Sequence, residues 1–385
     1  MSHIHRSGQR IIIPTDVSVT EAMLLASPEP IPEDKIIFEE SDTGRTVTHG
    51  NFKVQVRRTA AWLKQHLNLV PGDVVTIISS SCIDYIVATH AVWWLGGVVS
   101  MINDALSPKD MAWGLDLVQP QFVIVGAAAT EKLSQSFKIS AHSSTIRNVV
   151  TIGKTPSYPG LSDDISGESP SHPEHYSLRD ADNRQLPAAI VLSSGTTGRS
   201  KAVVLSHHNL IAANYQLRAD NADNWRSNMR EVFFPPLSHV YATYVVMTGA
   251  PWLGYFVCIM PRFDLGRFCQ LLSERKATMA RLVPPVAKML AESPITRRFE
   301  YPDLEYFTCS AAPLSEETAE KLRKTFPHVA LCQSEWPFLL TDGLDLILIY
   351  LCSIWVHGGL GSLCAERIPR QEQGAQRNGQ DHCKR

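Results

Sequence analysis

The feature that most constrains this chain is a rhythm of short apolar runs alternating with stretches of helical periodicity. Phe52, Val56, Ala60, Leu63 and Leu67 recur at helix spacing behind Thr48, a residue suited to cap a helix. Pro71-Gly72-Asp73 then turns the chain into an apolar run, Val74 to Ile78. The cycle repeats: a helix over about 83–94, Gly96-Gly97, a strand over 98–102, a helix opened by Ser107 and Pro108, and a strand at Phe122 to Val125. Such alternation predicts an α/β fold of layered, mostly parallel sheets flanked by helices.

Later segments keep the same order. Strands are expected near 232–234, 256–260, 279–283, 306–309 and 329–332, with helices over about 264–272 and 315–326 between them. The first 35 residues read as an extended arm with one short helix near Ala22 to Leu25. A stretch over 156–187, rich in Ser, Pro, Gly and Asp, reads as a surface crossing or a linker between sheets. Arg262, Arg267 and Arg281 are expected to be solvated.

With 385 residues and 44% apolar content, the chain can bury a large core. A formal net charge of −2 without a sustained basic stripe gives nucleic acid and anionic membranes no support as partners. The 8 cysteines lack metal-like spacing, which fits reduced thiols and no metal centre. The N-terminal residues lack the apolar core of a signal peptide, and the last residues are not a Ser-Lys-Leu address, so the expected location is cytoplasmic. Leu344 to Val356 is apolar but short and acid-flanked, so no transmembrane segment is expected.

One stretch carries chemistry. Ile190 to Asn209 places two apolar runs around Ser193, Ser194, Gly195, Thr196, Thr197, Gly198, Arg199, Ser200 and Lys201. Glycines let a ligand approach the backbone, hydroxyls donate, and the lysine adds a point charge suited to phosphate oxygens. A plain turn between strands is the simpler alternative. A Walker A loop is the other, but that motif needs its lysine at the start of a helix, whereas Lys201 precedes a second strand-like run.

Ser-Ser-Gly-Thr-Thr-Gly-Arg-Ser-Lys followed by Ser-His-His-Asn resembles the phosphate-loop signature of the AMP-forming adenylating enzymes. That family includes acyl-CoA synthetases, 4-coumarate-CoA ligase-like enzymes, luciferases and peptide-synthetase adenylation domains. The resemblance runs over about residues 12–333 and implies the N-terminal adenylation domain. It implies ATP, Mg2+ and CoA as cofactors and a small carboxylic acid as substrate, which becomes acyl-adenylate and then acyl-CoA. By the same resemblance Ser193 to Gly198 and Lys201 hold phosphates. Pro236-Leu237-Ser238-His239-Val240-Tyr241 resembles the family's next motif, so His239 and, secondarily, Tyr241 border the carboxylate substrate. Ser310-Ala311-Ala312-Pro313 matches a segment that binds adenine, with Cys309-Ser310 where the family has Ser-Gly, an added side chain expected to narrow the pocket there.

After Gln333 the resemblance stops. The family continues Gly-Tyr-Gly-x-Thr-Glu, with a Thr-Glu pair that reaches phosphate and Mg2+, whereas this chain continues Ser-Glu-Trp-Pro-Phe-Leu-Leu-Thr-Asp-Gly. Residues 334–385 read as a divergent tail, apolar and then disordered, and the family's mobile C-terminal domain with its lysine is not found. The expectation is a truncated product, or a gene model that misreads the transcript, with impaired or no turnover. The alternative is a non-catalytic remnant that binds nucleotide or a partner. Neither the acid nor the oligomeric state is readable from the residues.

Overall fold

The computed structural model describes residues 11–161, 173–178, 181–193, 200–220, 222 and 224–333. A single helical turn, Glu21–Leu25, precedes strands β1 (Ile36–Glu40) and β2 (Thr46–Thr48). Helix α1 (His49–Leu67) starts where the Thr48 hydroxyl accepts the Asn51 N–H, and it stops at Asn68 in the left-handed conformation. There follow β3 (Val74–Ile78), α2 (Ile83–Trp94), β4 (Val98–Met101), α3 (Pro108–Val118), β5 (Phe122–Gly126), α4 (Thr130–Phe137) and β6 (Asn148–Ile152). Ser107 caps α3 by accepting from the Asp110 N–H, as its place before Pro108 predicts.

The second series opens with β7 (Pro187–Ser193), β8 (Lys201–Ser206) and α5 (His207–Asp220). Ser206 caps α5 reciprocally: its hydroxyl accepts the Asn209 N–H while Asn209 Oδ1 accepts the Ser206 N–H. Next come β9 (Arg230–Phe233), the helical pieces α6 (Val240–Ala242), Thr243–Gly249 and α7 (Ala250–Leu253), and β10 (Phe256–Ile259). The series closes with α8 (Leu265–Glu274), β11 (Met279–Leu282), α9 (Pro284–Glu292), β12 (Tyr306–Cys309), α10 (Glu316–Thr325) and β13 (Ala330–Gln333).

These strands form two sheets. One has seven strands in the order β13-β12-β11-β9-β10-β1-β2, the other six in the order β6-β5-β3-β4-β7-β8. All pairings are parallel except β1 with β2 and β7 with β8. The layered, mostly parallel architecture expected from the sequence is therefore the observed one. Strands β1, β2 and β6 carry weaker patterns and are additions to that reading. The strands flanking 156–187 both belong to the six-stranded sheet, so that segment crosses between strands of one sheet. Part of it lies against Trp94, whose Nε1–H donates to the Pro173 carbonyl 2.9 Å away.

The layer between the sheets explains helix α2. Apart from Asp84 its residues are buried, because it packs between the sheets and against the stretch 240–253. Two polar groups stitch that layer: Trp93 Nε1–H donates to the Ala188 carbonyl at 2.8 Å, and His90 Nε2–H to the Met247 carbonyl at 2.6 Å. A second apolar cluster lies on the far face of the seven-stranded sheet, under α8, α9 and α10.

In each sheet the strand order reverses direction once. β10 lies on one side of β9 and β11 on the other; likewise β4 and β5 flank β3. Ligands in open parallel sheets bind beyond the carboxyl ends of the strands at such a reversal. The topology therefore points to the segments that follow β9 and β11 in one sheet, and β3 and β5 in the other.

Candidate functional site

At the carboxyl end of β9 the chain runs through Pro235-Pro236 to His239, which caps the next helix with its side chain. The Tyr241 backbone N–H donates to His239 Nδ1 at 3.2 Å, which leaves Nε2 to carry the proton. Burial holds the His239 pKa below its ordinary value, so the ring is neutral at neutral pH. The two sheets meet here: the Leu237 N–H donates to the Ser81 hydroxyl, just past β3, at 3.0 Å.

Tyr241 is 7% exposed and faces the seven-stranded sheet. Its hydroxyl receives a hydrogen bond from Arg281 Nη1 at 2.8 Å. Arg281 is the correction to the sequence reading, because its side chain is 4% exposed rather than solvated. It is buried because Glu231 lies on the neighbouring strand β9 and accepts from Arg281 Nε at 2.6 Å. Two rings flank its guanidinium, Trp225 with its centroid at 4.9 Å and Tyr241 at 5.4 Å. Burial pulls the Arg281 pKa down, but the Glu231 carboxylate together with the Tyr241, Tyr255 and Tyr306 phenols more than reverses this and keeps the guanidinium charged. Burial raises the Glu231 pKa against the pull of Arg281.

Glu231 and Trp225 were not singled out from the sequence, and Arg281 was named only as a solvated residue. The available signal was a lone charge inside an apolar strand, as in Met279-Ala280-Arg281-Leu282. The pairing itself joins residues 50 positions apart and has no local signature.

Past β12 the chain turns through Ser310, whose N–H donates to the Leu282 carbonyl at 3.1 Å. Ala311 takes φ +77°, a left-handed value costly for any residue with a Cβ. Ala311, Ala312 and Pro313 are exposed, whereas Ser310 is buried at the base of the turn. Thr308, two residues earlier, is directly opposite Arg281 in the sheet. His239, Tyr241 and the 310–313 turn thus share the carboxyl side of one sheet.

Ser193 and Lys201 belong to the other sheet. They stand opposite each other across the antiparallel pair β7–β8, and the Ser193 hydroxyl donates to the Lys201 carbonyl at 3.4 Å. Helix α3 braces the hairpin through Trp113 Nε1–H, 3.3 Å from the Ser200 carbonyl. Lys201 starts a strand, as expected, which removes the helix that a Walker A loop requires. Ser194, Gly195, Thr196, Thr197 and Gly198 lie outside the described residues, as do residues 334–385. Among the described residues no group of three His, Cys, Asp or Glu side chains could hold a metal ion, and no helix is long and apolar enough to cross a membrane.

Comparison with known proteins adds the following. The model of a family described as AMP-binding enzyme matches residues 28–336. A probable 4-coumarate-CoA ligase from Dictyostelium discoideum is 27% identical over 271 residues, covering 68% of this chain and 49% of that protein. The 4-coumarate-CoA ligase-like 9 protein of Arabidopsis thaliana is 30% identical over 321 residues, covering 81% and 54%. The chain thus spans about half the length of the curated relatives it matches. Among solved structures, a long-chain-fatty-acid-CoA ligase from Archaeoglobus fulgidus superposes with a TM-score of 0.75 at 18% identity, covering 85% of this chain and 65% of that one. A luciferase-like enzyme from the mealworm Zophobas morio gives 0.71 at 18%, covering 84% and 75%. At such identities these two likenesses speak for the fold.

Proposed function

Since the chain belongs to the AMP-binding enzyme family, we propose that it carries the nucleotide and acid sites of an AMP-forming acid-CoA ligase. In that reaction a carboxylate oxygen attacks the α-phosphorus of ATP, the bond to the β-phosphate breaks, and acyl-adenylate and pyrophosphate result. The CoA thiol then takes the acyl group and AMP leaves.

The observation that carries this reading is the placement of Lys201 opposite Ser193 at the carboxyl end of β7. A cation and a hydroxyl flank the seven residues 194–200, which supply four hydroxyls, two glycines and an arginine. Lys201 and the hydroxyls would hold the β- and γ-phosphates and offset charge building on the departing pyrophosphate. Mg2+, bound with the nucleotide, would neutralise phosphate charge. His239 and Tyr241 would border the carboxylate substrate. Ser310 to Pro313 would take the adenine, with the small side chains of Ser310, Ala311 and Ala312 letting a flat ring lie close.

Turnover is a separate question. The ten residues after Gln333 lack the Gly-Tyr-Gly stretch and the Thr-Glu pair that the family resemblance calls for. We therefore expect the chain as given to bind ATP while exchanging labelled pyrophosphate into ATP far more slowly than a full-length 4-coumarate-CoA ligase run beside it. Calorimetry with ATP and the exchange assay test the two halves. No ATP binding would overturn the whole reading, exchange at the rate of the reference ligase would overturn the impairment, and binding with no exchange at all would favour the non-catalytic remnant.

A further inference from the structure

A buried ion pair seldom stabilises a fold more than apolar side chains of the same volume would. The pair formed by Glu231 and Arg281 sits on the inner face of the seven-stranded sheet, directly behind Tyr241. We propose that it is a specificity element, closing the acyl end of the site so that only compact carboxylic acids, with a ring or a short chain, fit. The inference rests on the reading above that Tyr241 borders the acid.

Three observations support it. The first is space: the Arg281 guanidinium fills the gap between Trp225 and Tyr241, with centroids 4.9 and 5.4 Å away, and Phe233 stacks on Tyr241 at 6.3 Å. An alkyl chain passing Tyr241 meets packed side chains. The second is polarity. Arg281 Nη2 and Glu231 Oε1 are buried and have no hydrogen-bond partner among the described residues. Methylenes laid against them offer no hydrogen bond and leave both atoms unpaired, so a long apolar tail gains less here than it would against a hydrocarbon wall.

The third is rigidity. Arg281 is held at Nε by Glu231 at 2.6 Å and at Nη1 by Tyr241 at 2.8 Å, and its strand pairs with both neighbours, β9 and β12. Swinging the side chain aside would break a charge-assisted bond and strand Glu231 as a buried charge. The closure is therefore fixed, unlike one made by a mobile methionine or leucine.

The test is calorimetry of the full chain with acylsulfamoyl adenosines carrying benzoyl, hexanoyl or dodecanoyl groups, which mimic the adenylate and need no turnover. We expect the dodecanoyl compound to bind at least about tenfold more weakly than the other two, a difference of about 1.4 kcal/mol. In the variant Glu231→Leu with Arg281→Leu, which removes both charges together, that gap should close. Should the leucine pair fail to fold, Glu231→Gln with Arg281→Met serves, and the wild-type series decides by itself. Dodecanoyl binding as tight as hexanoyl in the wild type, or an unchanged gap in a folded double variant, would overturn the inference alone. Failure of all three compounds to bind while ATP binds would overturn the acid-site reading together with it.

Discussion

The two sheets contribute to the candidate site in opposite ways. The six-stranded sheet offers a hairpin, where Lys201 is exposed and Ser193 half-buried, and the donors lie within nine residues of sequence. The seven-stranded sheet offers Glu231, Arg281 and Tyr241, which are buried and come from three separate elements. Groups of the first kind add little to folding and can be spent on a ligand. Groups of the second kind are bound up with the stability of the sheet, so whatever they do for a substrate is done by fixed geometry. Perturbations should separate the two kinds.

Removing one member of the buried pair should have the largest effect. Arg281→Ala leaves the Glu231 carboxyl buried without its partner, forced to take up a proton or hold an unpaired charge, and opens a gap between Trp225 and Tyr241, so a loss of about 3–5 kcal/mol is expected, read as a lowered thermal midpoint. Removing both charges in Glu231→Leu with Arg281→Leu should restore most of it. If Arg281→Ala melted like the wild type, the contrast between the sheets would lose its basis.

The seam between the sheets should respond to acid. Burial pulls His90 down to about 4, against the hydrogen bond it gives to the Met247 carbonyl. Burial also pulls His207 down to about 4, with nearby Glu21 opposing, and His207 Nδ1 accepts the Val19 N–H at 3.1 Å, which a protonated ring could not do. Both folded values lie below the unfolded value of about 6.5. Protonation therefore favours unfolding: the stabilisation is complete above pH ~6.5 and is lost as pH falls toward about 4, on the order of 3 kcal/mol for each ring. Melting midpoints measured from pH 7.5 to 4.5 should fall in that window, and His90→Gln should flatten the slope. A flat profile in the wild type would show that these rings are hydrated.

Lys201→Ala should do the reverse of Arg281→Ala. Exposed at the start of β8, Lys201 should affect stability by less than about 0.5 kcal/mol. Its loss should weaken ATP binding by about 1.5–3 kcal/mol, the worth of a hydrogen bond to a charged group. Calorimetry beside a melting curve reads both quantities on one sample. A change in melting without a change in ATP binding would make the hairpin a structural turn, the simpler alternative to the phosphate loop.

The same contrast explains what could be read from the sequence. Strands β3, β5 and β12 and helices α2 and α3 were legible because apolar periodicity, Pro-Gly-Asp and a capping Ser-Pro are local signals. So was the change of direction at Lys201. Strands β1 and β2 were not: their runs are short, and Glu39, whose carboxylate is held by Arg275 at 2.8 Å, breaks the alternation. Arg281 failed for the same reason. A charge in a strand looks solvent-facing until its partner, 50 residues away, is placed beside it.

The smallest effect tests the turn past β12. Ala311 holds φ +77°, where an alanine is disfavoured by about 1–2 kcal/mol relative to the right-handed region. Glycine relieves that strain, but it also gives the unfolded chain more freedom to lose, about 0.5–1 kcal/mol. Ala311→Gly should therefore raise stability only slightly, by less than about 1 kcal/mol, the remainder after these two opposing terms. Its effect on ligand binding is the sharper readout. If the turn presents a flat face to adenine, removing the Cβ leaves that face open and ATP affinity unchanged within about twofold, whereas Ala311→Val, with a branched Cβ in the left-handed region, should cost both stability and ATP affinity. Loss of stability without loss of ATP affinity in Ala311→Val would take adenine away from this turn and leave the seven-stranded sheet with the acid alone.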